Sequence, residues 1–168
     1  MSIRVRSGTT EDIESLVELL GELFALEADF APDAQRQRRG LTLMLSAPDE
    51  RIVRVAEDGD RIVGMVTGQI LVSTAEGGLV TLVEDLIVAP PYRGTGVGSR
   101  LLADLEGWAR PLGSKRLQLL ADRDNGPAKA FYEKAGWCLT NLVCLRKTES
   151  GVATCPGIHH ERSTSCAR

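Results

Sequence analysis

Three glycines at alternate positions, Gly94, Gly96 and Gly98, stand where a β-branched apolar run ends and a helix-spaced pattern begins. This junction constrains the chain more than any other stretch. Glycine permits backbone conformations closed to other residues, and a missing side chain lets a ligand reach the main chain. The first N–H groups of a helix have no intrahelical partner, and the aligned peptide dipoles make that end positive. A glycine turn opening a helix therefore favours an anion, phosphate above all. Arg93 and Arg100 flank it and add charge-assisted donors. A Walker loop would require Gly-Lys-Ser/Thr at its end, but Gly98 is followed by Ser99-Arg100. A dinucleotide fingerprint would require G-x-G-x-x-G within a parallel βαβ unit, whereas the spacing here is G-x-G-x-G after a hairpin-linked strand. A tight strand-to-helix turn with no ligand is the remaining alternative.

The pattern on either side places the turn in a fold. Ile3 and Val5 before Ser7-Gly8 indicate a short first strand, and Thr10 has the position of a helix N-cap, with Glu11 and Asp12 suited to the positive helix end. Ile13, Leu16, Val17, Leu20, Leu23 and Phe24 follow at helical spacing. A second helix is expected over residues 34–45, with a basic start in Arg36, Arg38 and Arg39 and an end before Pro48. Extended runs at 52–56, 61–72 and 79–88 are separated by the short turns Glu57-Asp58-Gly59-Asp60 and Glu76-Gly77-Gly78. Two short links between three strands predict an antiparallel meander, with Gly64 and Gly68 as bulge positions.

After Pro90-Pro91, Val97, Leu101, Leu102, Leu105 and Trp108 mark an amphipathic helix that stops at Pro111 and Gly113. A strand at 116–121 precedes a helix capped by Asn125, carrying Ala128, Phe131, Tyr132 and Ala135, and stopped by Gly136. Residues 139–145 complete the pattern as a final strand. The order β, α, α, β, β, β, α, β, α, β predicts an α/β mixed sheet with helices on both faces. Residues 148–168 lack periodicity and are expected to form a flexible polar tail after a single domain, 1–147.

Bulk properties exclude whole classes. A formal net charge of −3 supplies no field to hold nucleic acid or an anionic membrane. No apolar run approaches the roughly 18 residues of a membrane helix, and the first residues lack a secretory h-region. The expected compartment is the cytoplasm, where Cys138 and Cys144 would behave as small buried hydrophobes. Cys155, His159, His160 and Cys166 match no standard zinc spacing, and no metal is expected.

The residues Glu84-Asp85-Leu86-Ile87-Val88-Ala89-Pro90-Pro91-Tyr92-Arg93-Gly94-Thr95-Gly96-Val97-Gly98-Ser99-Arg100-Leu101-Leu102 resemble the acyl-CoA motif of the GNAT superfamily of N-acetyltransferases. Its pattern Arg/Gln-x-x-Gly-x-Gly/Ala is met by Arg93, Gly96 and Gly98. The segment from Asp124 through Asn125, Phe131 and Tyr132 to Gly136-Trp137 resembles the next helix of that family, in the right order and separation. The resemblance covers about residues 3–147 and implies a GNAT-like, largely antiparallel mixed sheet. It implies that the amides of Arg93, Gly94, Thr95, Gly96, Val97, Gly98 and Ser99 hold the pyrophosphate of acetyl-CoA, the acetyl-donor cosubstrate. Backbone groups of Leu86, Ile87 and Val88 would pair with the pantetheine arm, with Asn125 nearby. Homodimers are common in such a family.

Acetyl transfer to an amine poses two proton problems. An alkylammonium of pKa about 10.4 must lose a proton before it attacks, and the departing thiolate gains from a donor. By the resemblance, Tyr132 is the residue that meets the thioester sulfur and acts as acid; the alternative is an amphipathic core tyrosine. Glu84 and Asp85 stand on the strand before the pantetheine-pairing residues, and adjacent strand residues point to opposite faces unless a bulge alters the parity. Glu84 is the candidate base, and both carboxylates are candidate substrate ligands; the alternative is that either one only orients the amine or pairs with an arginine. Arg36, Arg38 and Arg39 are an exposed helix face or part of the acceptor wall, and Trp108 and Trp137 are core residues. The expected activity is direct transfer from acetyl-CoA to a small-molecule primary amine such as a polyamine, amino sugar or amino acid derivative. Acetylation of protein N-termini or lysines, and a non-catalytic CoA-binding module, are the rivals.

Overall fold

The computed structural model describes residues 2–26 and 30–147. The elements run β1 (Ile3–Ser7), a 3-10 turn (Thr10–Asp12), α1 (Ile13–Phe24), α2 (Ala34–Leu45), β2 (Arg51–Asp58), β3 (Arg61–Ser73), β4 (Gly78–Val88), a second 3-10 turn (Pro90–Tyr92), α3 (Val97–Ala109), β5 (Leu117–Leu119) and α4 (Gly126–Lys134). The five strands lie side by side in chain order. The first four pair antiparallel, and β4 and β5 pair in parallel. Gly59 and Gly77, both at positive φ, turn the two hairpins that generate the meander. The parallel pair needs a crossover, and α3 supplies it.

Helices cover both faces, as the order of elements predicts. On one face Leu16, Leu19 and Leu20 of α1 and Leu41 of α2 bury against Val53, Val55, Met65 and Ile87. On the other, Val97, Leu101 and Leu105 of α3 bury against Ile52, Ala56, Val63, Val66 and Val83. Gly64 and Gly68 explain how closely α3 sits. A Cβ on Gly64 would lie 3.0 Å from the Ile87 carbonyl oxygen and 3.2 Å from a Leu101 methyl, and one on Gly68 would lie 2.9 Å from a Leu105 methyl. Both glycines also border irregular register. Val63 is an extra residue between the pairs Ala56–Gly64 and Glu57–Ile62, and Gly68 pairs with Val83 just before a bulge in β4.

Three expectations change. The cap position before α1 belongs to Thr9 rather than Thr10: the Thr9 N–H donates to Asp12 Oδ2 at 2.8 Å, and Thr10 is already inside the 3-10 turn. Arg6 holds the same carboxylate through two donors at 2.8 Å and donates to Glu57 at 2.6 Å, which ties β1, β2 and the start of α1 together. Residues 139–145 form no strand. Thr140 bends the backbone locally, its hydroxyl accepting the Leu142 N–H, which diverts that donor from a ladder. Leu142 and Leu145 are exposed, and Cys138 and Cys144 are exposed rather than buried, because no strand carries them into the sheet. The expected tail 148–168, with Cys155, His159, His160 and Cys166, lies outside the described residues. No helix among the described residues is long and apolar enough to cross a membrane.

Candidate active site

The site starts where two parallel strands part. β4 and β5 are paired at Thr81–Leu117, Leu82–Gln118 and Val83–Leu119, and no further. Beyond Val83, β4 continues to Val88 with an edge that has no strand partner among the described residues. The bulge falls at this point. Val66 pairs with Leu86 and Gly68 with Val83, so Glu84 and Asp85 together oppose the single residue Thr67.

The bulge resets which backbone groups face outward. Before it, the odd residues face β5: the Thr81 N–H donates to the Arg116 carbonyl, and the Leu79 carbonyl accepts from Lys115. After it, the Ala89 N–H donates to the Val63 carbonyl at 2.9 Å, which makes Gly64–Val88 and Val66–Leu86 non-hydrogen-bonded pairs. The backbone groups of Leu86 and Val88 therefore point into the gap, and those of Ile87 point into the ladder with Met65. The Val88 carbonyl is already engaged, since Arg93 Nε donates to it at 2.8 Å.

That bond also fastens the glycine turn to the end of β4. Gly94 and Gly96 have φ of 75° and 89°, and an added Cβ at either would meet open space, so the turn presents bare backbone to solvent. The Thr95 hydroxyl donates to the Tyr92 carbonyl at 2.7 Å, and the Tyr92 hydroxyl donates to Asp58 at the tip of the β2–β3 hairpin. Gly96 caps α3, which leaves the N–H groups of Val97, Gly98 and Ser99 without intrahelical acceptors. A string of open amides at a helix N-terminus, thirteen residues long, fits a pyrophosphate.

α4 closes the other side. Asn125 Oδ1 accepts the Ala128 N–H at 3.0 Å, so its carbonyl is committed to the cap and its NH2 is the group left for a ligand. The Phe131 ring sits over Gly98, about 3.5 Å from where a Cβ would be, docking α4 on the first turn of α3. Tyr132 stacks edge-on against Phe131 and tilted against Trp137, with centroids at 5.2 and 5.7 Å. The cleft between the parted strands is lined by Glu84, Leu86, Asn125, Ala128 and Tyr132, with Leu23 of α1 and Asp122 also in its wall.

The two carboxylates of the bulge differ. Glu84 is exposed and lines the cleft. Asp85 is half-buried beside it. Burial pushes its carboxyl up to about 6, the Thr67 hydroxyl partly opposes this, and the charge of Glu84 adds to it. Thr67 is fully buried; its hydroxyl donates to Asp85 Oδ2 at 2.8 Å and accepts the Asp85 N–H at 3.1 Å. The structure thus brings Glu84, Leu86, Asn125 and Tyr132 around one cleft, with Asp85 next to Glu84 in the bulge but outside the cleft lining, and Val88 and the 93–99 turn farther along the same strand. Arg38 is placed elsewhere, paired with Glu14, and Arg36 pairs with Asp33. Sequence reasoning missed Thr67 and Asp122. Counting back from the Glu76-Gly77-Gly78 turn sets Thr67 across from Glu84-Asp85, so the first was within reach; nothing in the sequence marks the second.

Comparison with known proteins shows the family. Residues 13–137 match the model of the acetyltransferase (GNAT) family. The chain is 31% identical over 133 residues to an aminoalkylphosphonate N-acetyltransferase of Salmonella typhimurium, covering 79% of this chain and 83% of that one. It is 31% identical over 72 residues to an aminoglycoside N(6')-acetyltransferase type 1 of Acinetobacter genomosp. 13, covering 43% of this chain and 49% of that one. The solved structure of AAC(6')-Iy with a CoA bisubstrate analogue shares the fold at a TM-score of 0.74 and 18% identity, covering 88% of this chain and 99% of that one. With the family match spanning most of the parted-strand fold, the chain belongs to the GNAT family of N-acetyltransferases and is an acyltransferase.

Proposed function

We propose that the protein transfers an acetyl group from acetyl-CoA to a small-molecule primary amine within a ternary complex. The observation that carries the reading is the parting of β4 from β5 directly beside the bare-backbone turn of α3. Leu86, through its N–H and C=O, and Val88, through its N–H, would hold the pantetheine arm as a third strand would. The amides of Gly94 to Ser99 would hold the pyrophosphate, with the Asn125 NH2 beside the arm. Arg93 fastens the two halves of this cradle through Val88, and its remaining guanidinium N–H groups are available to phosphate. Acetyl-CoA supplies the activated acyl group and the thiolate leaving group.

This chain's own residues orient the amine and move protons. Tyr132 lines the cleft and is the proposed acid that protonates the departing sulfur. The base is a carboxylate of the β4 bulge. Glu84, the candidate from sequence, is in position to bind and orient an ammonium. Asp85, with its carboxyl at about 6, is better matched to taking a proton at neutral pH, because an acceptor works best when its pKa is near the working pH. Alignment of both reactants supplies most of the rate. The named activities of the relatives, on an aminoalkylphosphonate and an aminoglycoside, support a small amine as acceptor.

Thermal shift with acetyl-CoA, followed by thiol release with a panel of an aminoalkylphosphonate, an aminoglycoside, a diamine and a lysine peptide, tests the reading. Stabilisation with turnover on a small amine, and a fall of roughly 10²-fold or more in kcat for Tyr132→Phe, is expected. Stabilisation without turnover on any amine would leave a CoA-binding module instead. Turnover confined to the peptide would make it a protein acetyltransferase.

A further inference from the structure

Residues 63–72 are apolar apart from Gly64, Gly68, Gln69 and one fully buried hydroxyl, that of Thr67. A valine would occupy the same volume without the cost of burying a polar group, which is repaid only if the group is hydrogen-bonded. Thr67 is bonded twice, and both bonds go to one residue. The extra residue of a bulge loses its place in the ladder, and its N–H needs another acceptor. Here the Thr67 Oγ1 accepts the Asp85 N–H, and the same hydroxyl donates to Asp85 Oδ2. Backbone and carboxylate of Asp85 are thereby held by a single side chain from the neighbouring strand. Asp85 Oδ1 has no hydrogen-bond partner among the described residues.

We propose that Thr67 is a positioning residue for acetyl transfer: it closes the β4 bulge and holds Asp85 so that Oδ1 is the atom that takes the proton from the acceptor ammonium. This rests on the reading of Asp85 as base. The proton passes from nitrogen to Oδ1, the nitrogen keeps its lone pair for attack, and Thr67 retains its own proton. Thr67 touches neither reactant and acts through Asp85 alone. The charged group acting on Asp85 is Glu84 of the same strand; β3 offers the uncharged Thr67, and the helical layer on the Ile87 face offers Leu16, Leu19 and Leu20.

The test is the pH profile of kcat/KM for the panel amine with the fastest turnover, at saturating acetyl-CoA. In Thr67→Val the carboxylate loses a donor, so the acid limb moves to higher pH, and kcat/KM at neutral pH falls roughly tenfold. The thermal shift by acetyl-CoA stays that of the unaltered protein. Thr67→Ser restores both limb and rate. Should the valine variant fail to fold, Thr67→Ala removes the hydroxyl without added branching and is held to the same expectations. An unmoved acid limb, or a serine variant no better than valine, overturns the proposal. Asp85→Asn separates the two layers. If it keeps full activity, the base reading fails and Thr67's role with it. If it is inactive while Thr67→Val behaves as the unaltered protein, Asp85 stands as base and Thr67 does not position it.

Discussion

Asp12 is buried and Asp85 half-buried, and the fold treats the two carboxylates in opposite ways. Asp12 accepts two hydrogen bonds from Arg6, and these, with the bonds from Thr9, hold its carboxyl down at about 2. Asp85 has one hydroxyl donor against burial and a like charge, and it sits at about 6. The ordinary value of 3.8 stands between them. A raised carboxyl means that the folded protein binds a proton more tightly than the unfolded chain, so Asp85 costs stability as pH rises from about 4 to 6, by up to about 3 kcal/mol, and the cost is complete above that window. Asp85→Asn should therefore raise Tm at pH 7.5 and leave it nearly unchanged at pH 4, while acetyl transfer is lost. Equal Tm gains at the two pH values would show that packing, not charge, is responsible. A group kept at the expense of stability is the kind that function retains.

Strands and helices were mostly visible in the sequence because their apolar spacing is local. The face of α1, the turns at Gly59 and Gly77, and the Asn125 cap follow from residues within a few positions of one another. The expected strand at 139–145 has the apolar content of β structure, but a strand requires a neighbour. β5 is three residues long and offers little ladder to a following strand, a fact of tertiary context that spacing does not carry, while the Thr140 bond to the Leu142 N–H is a local competitor. The bulge at Glu84-Asp85 was legible only as a family expectation, and its partner Thr67 only by counting register. Gly64 and Gly68 were expected to mark irregular strands; their tighter constraint is the approach of α3. Gly64→Ala should lower stability by about 1–3 kcal/mol, since its nearest neighbour is the rigid Ile87 carbonyl, and should raise KM for acetyl-CoA by disturbing β4. Gly96→Ala, in a backbone conformation of φ 89°, should also raise that KM, with a smaller change in Tm because no packed neighbour is displaced. Urea melts and acetyl-CoA titrations of the two variants separate these effects.

At the scale of the whole molecule, the sheet is held by two different means at its two ends. Near β1, the Arg6–Asp12–Glu57 cluster joins the first strand, the first helix and the hairpin. Because the Asp12 carboxyl is depressed, its contribution is complete above pH 4 and disappears as pH falls through about 2, on the order of 2 kcal/mol. Asp12→Asn should flatten the acid limb of the stability curve below pH 4, and a limb as steep as before would place the acid sensitivity elsewhere. Near β5 the fastening is at the start of the strand only, where Arg116 pairs with Glu76 at 3.0 Å and the Ser114 hydroxyl bonds that of Thr81, and beyond Val83 the sheet is left open. The single inserted residue at the bulge works there as a change of phase. N-terminal to it the odd-numbered residues of β4 face β5 and complete a sheet; C-terminal to it the even-numbered Leu86 and Val88 face the same edge, where β5 has ended and the edge is left to bind something else. Deleting Glu84 alone would leave nearly every core residue in β1 to β3 in place, and Leu86 and Val88 would continue the outward-facing row of Thr81 and Val83 in an unbroken ladder. A protein so altered would still fold around its core and offer the same edge to its cosubstrate; it would lose the pair of adjacent carboxylates that the inserted residue brings beside the gap.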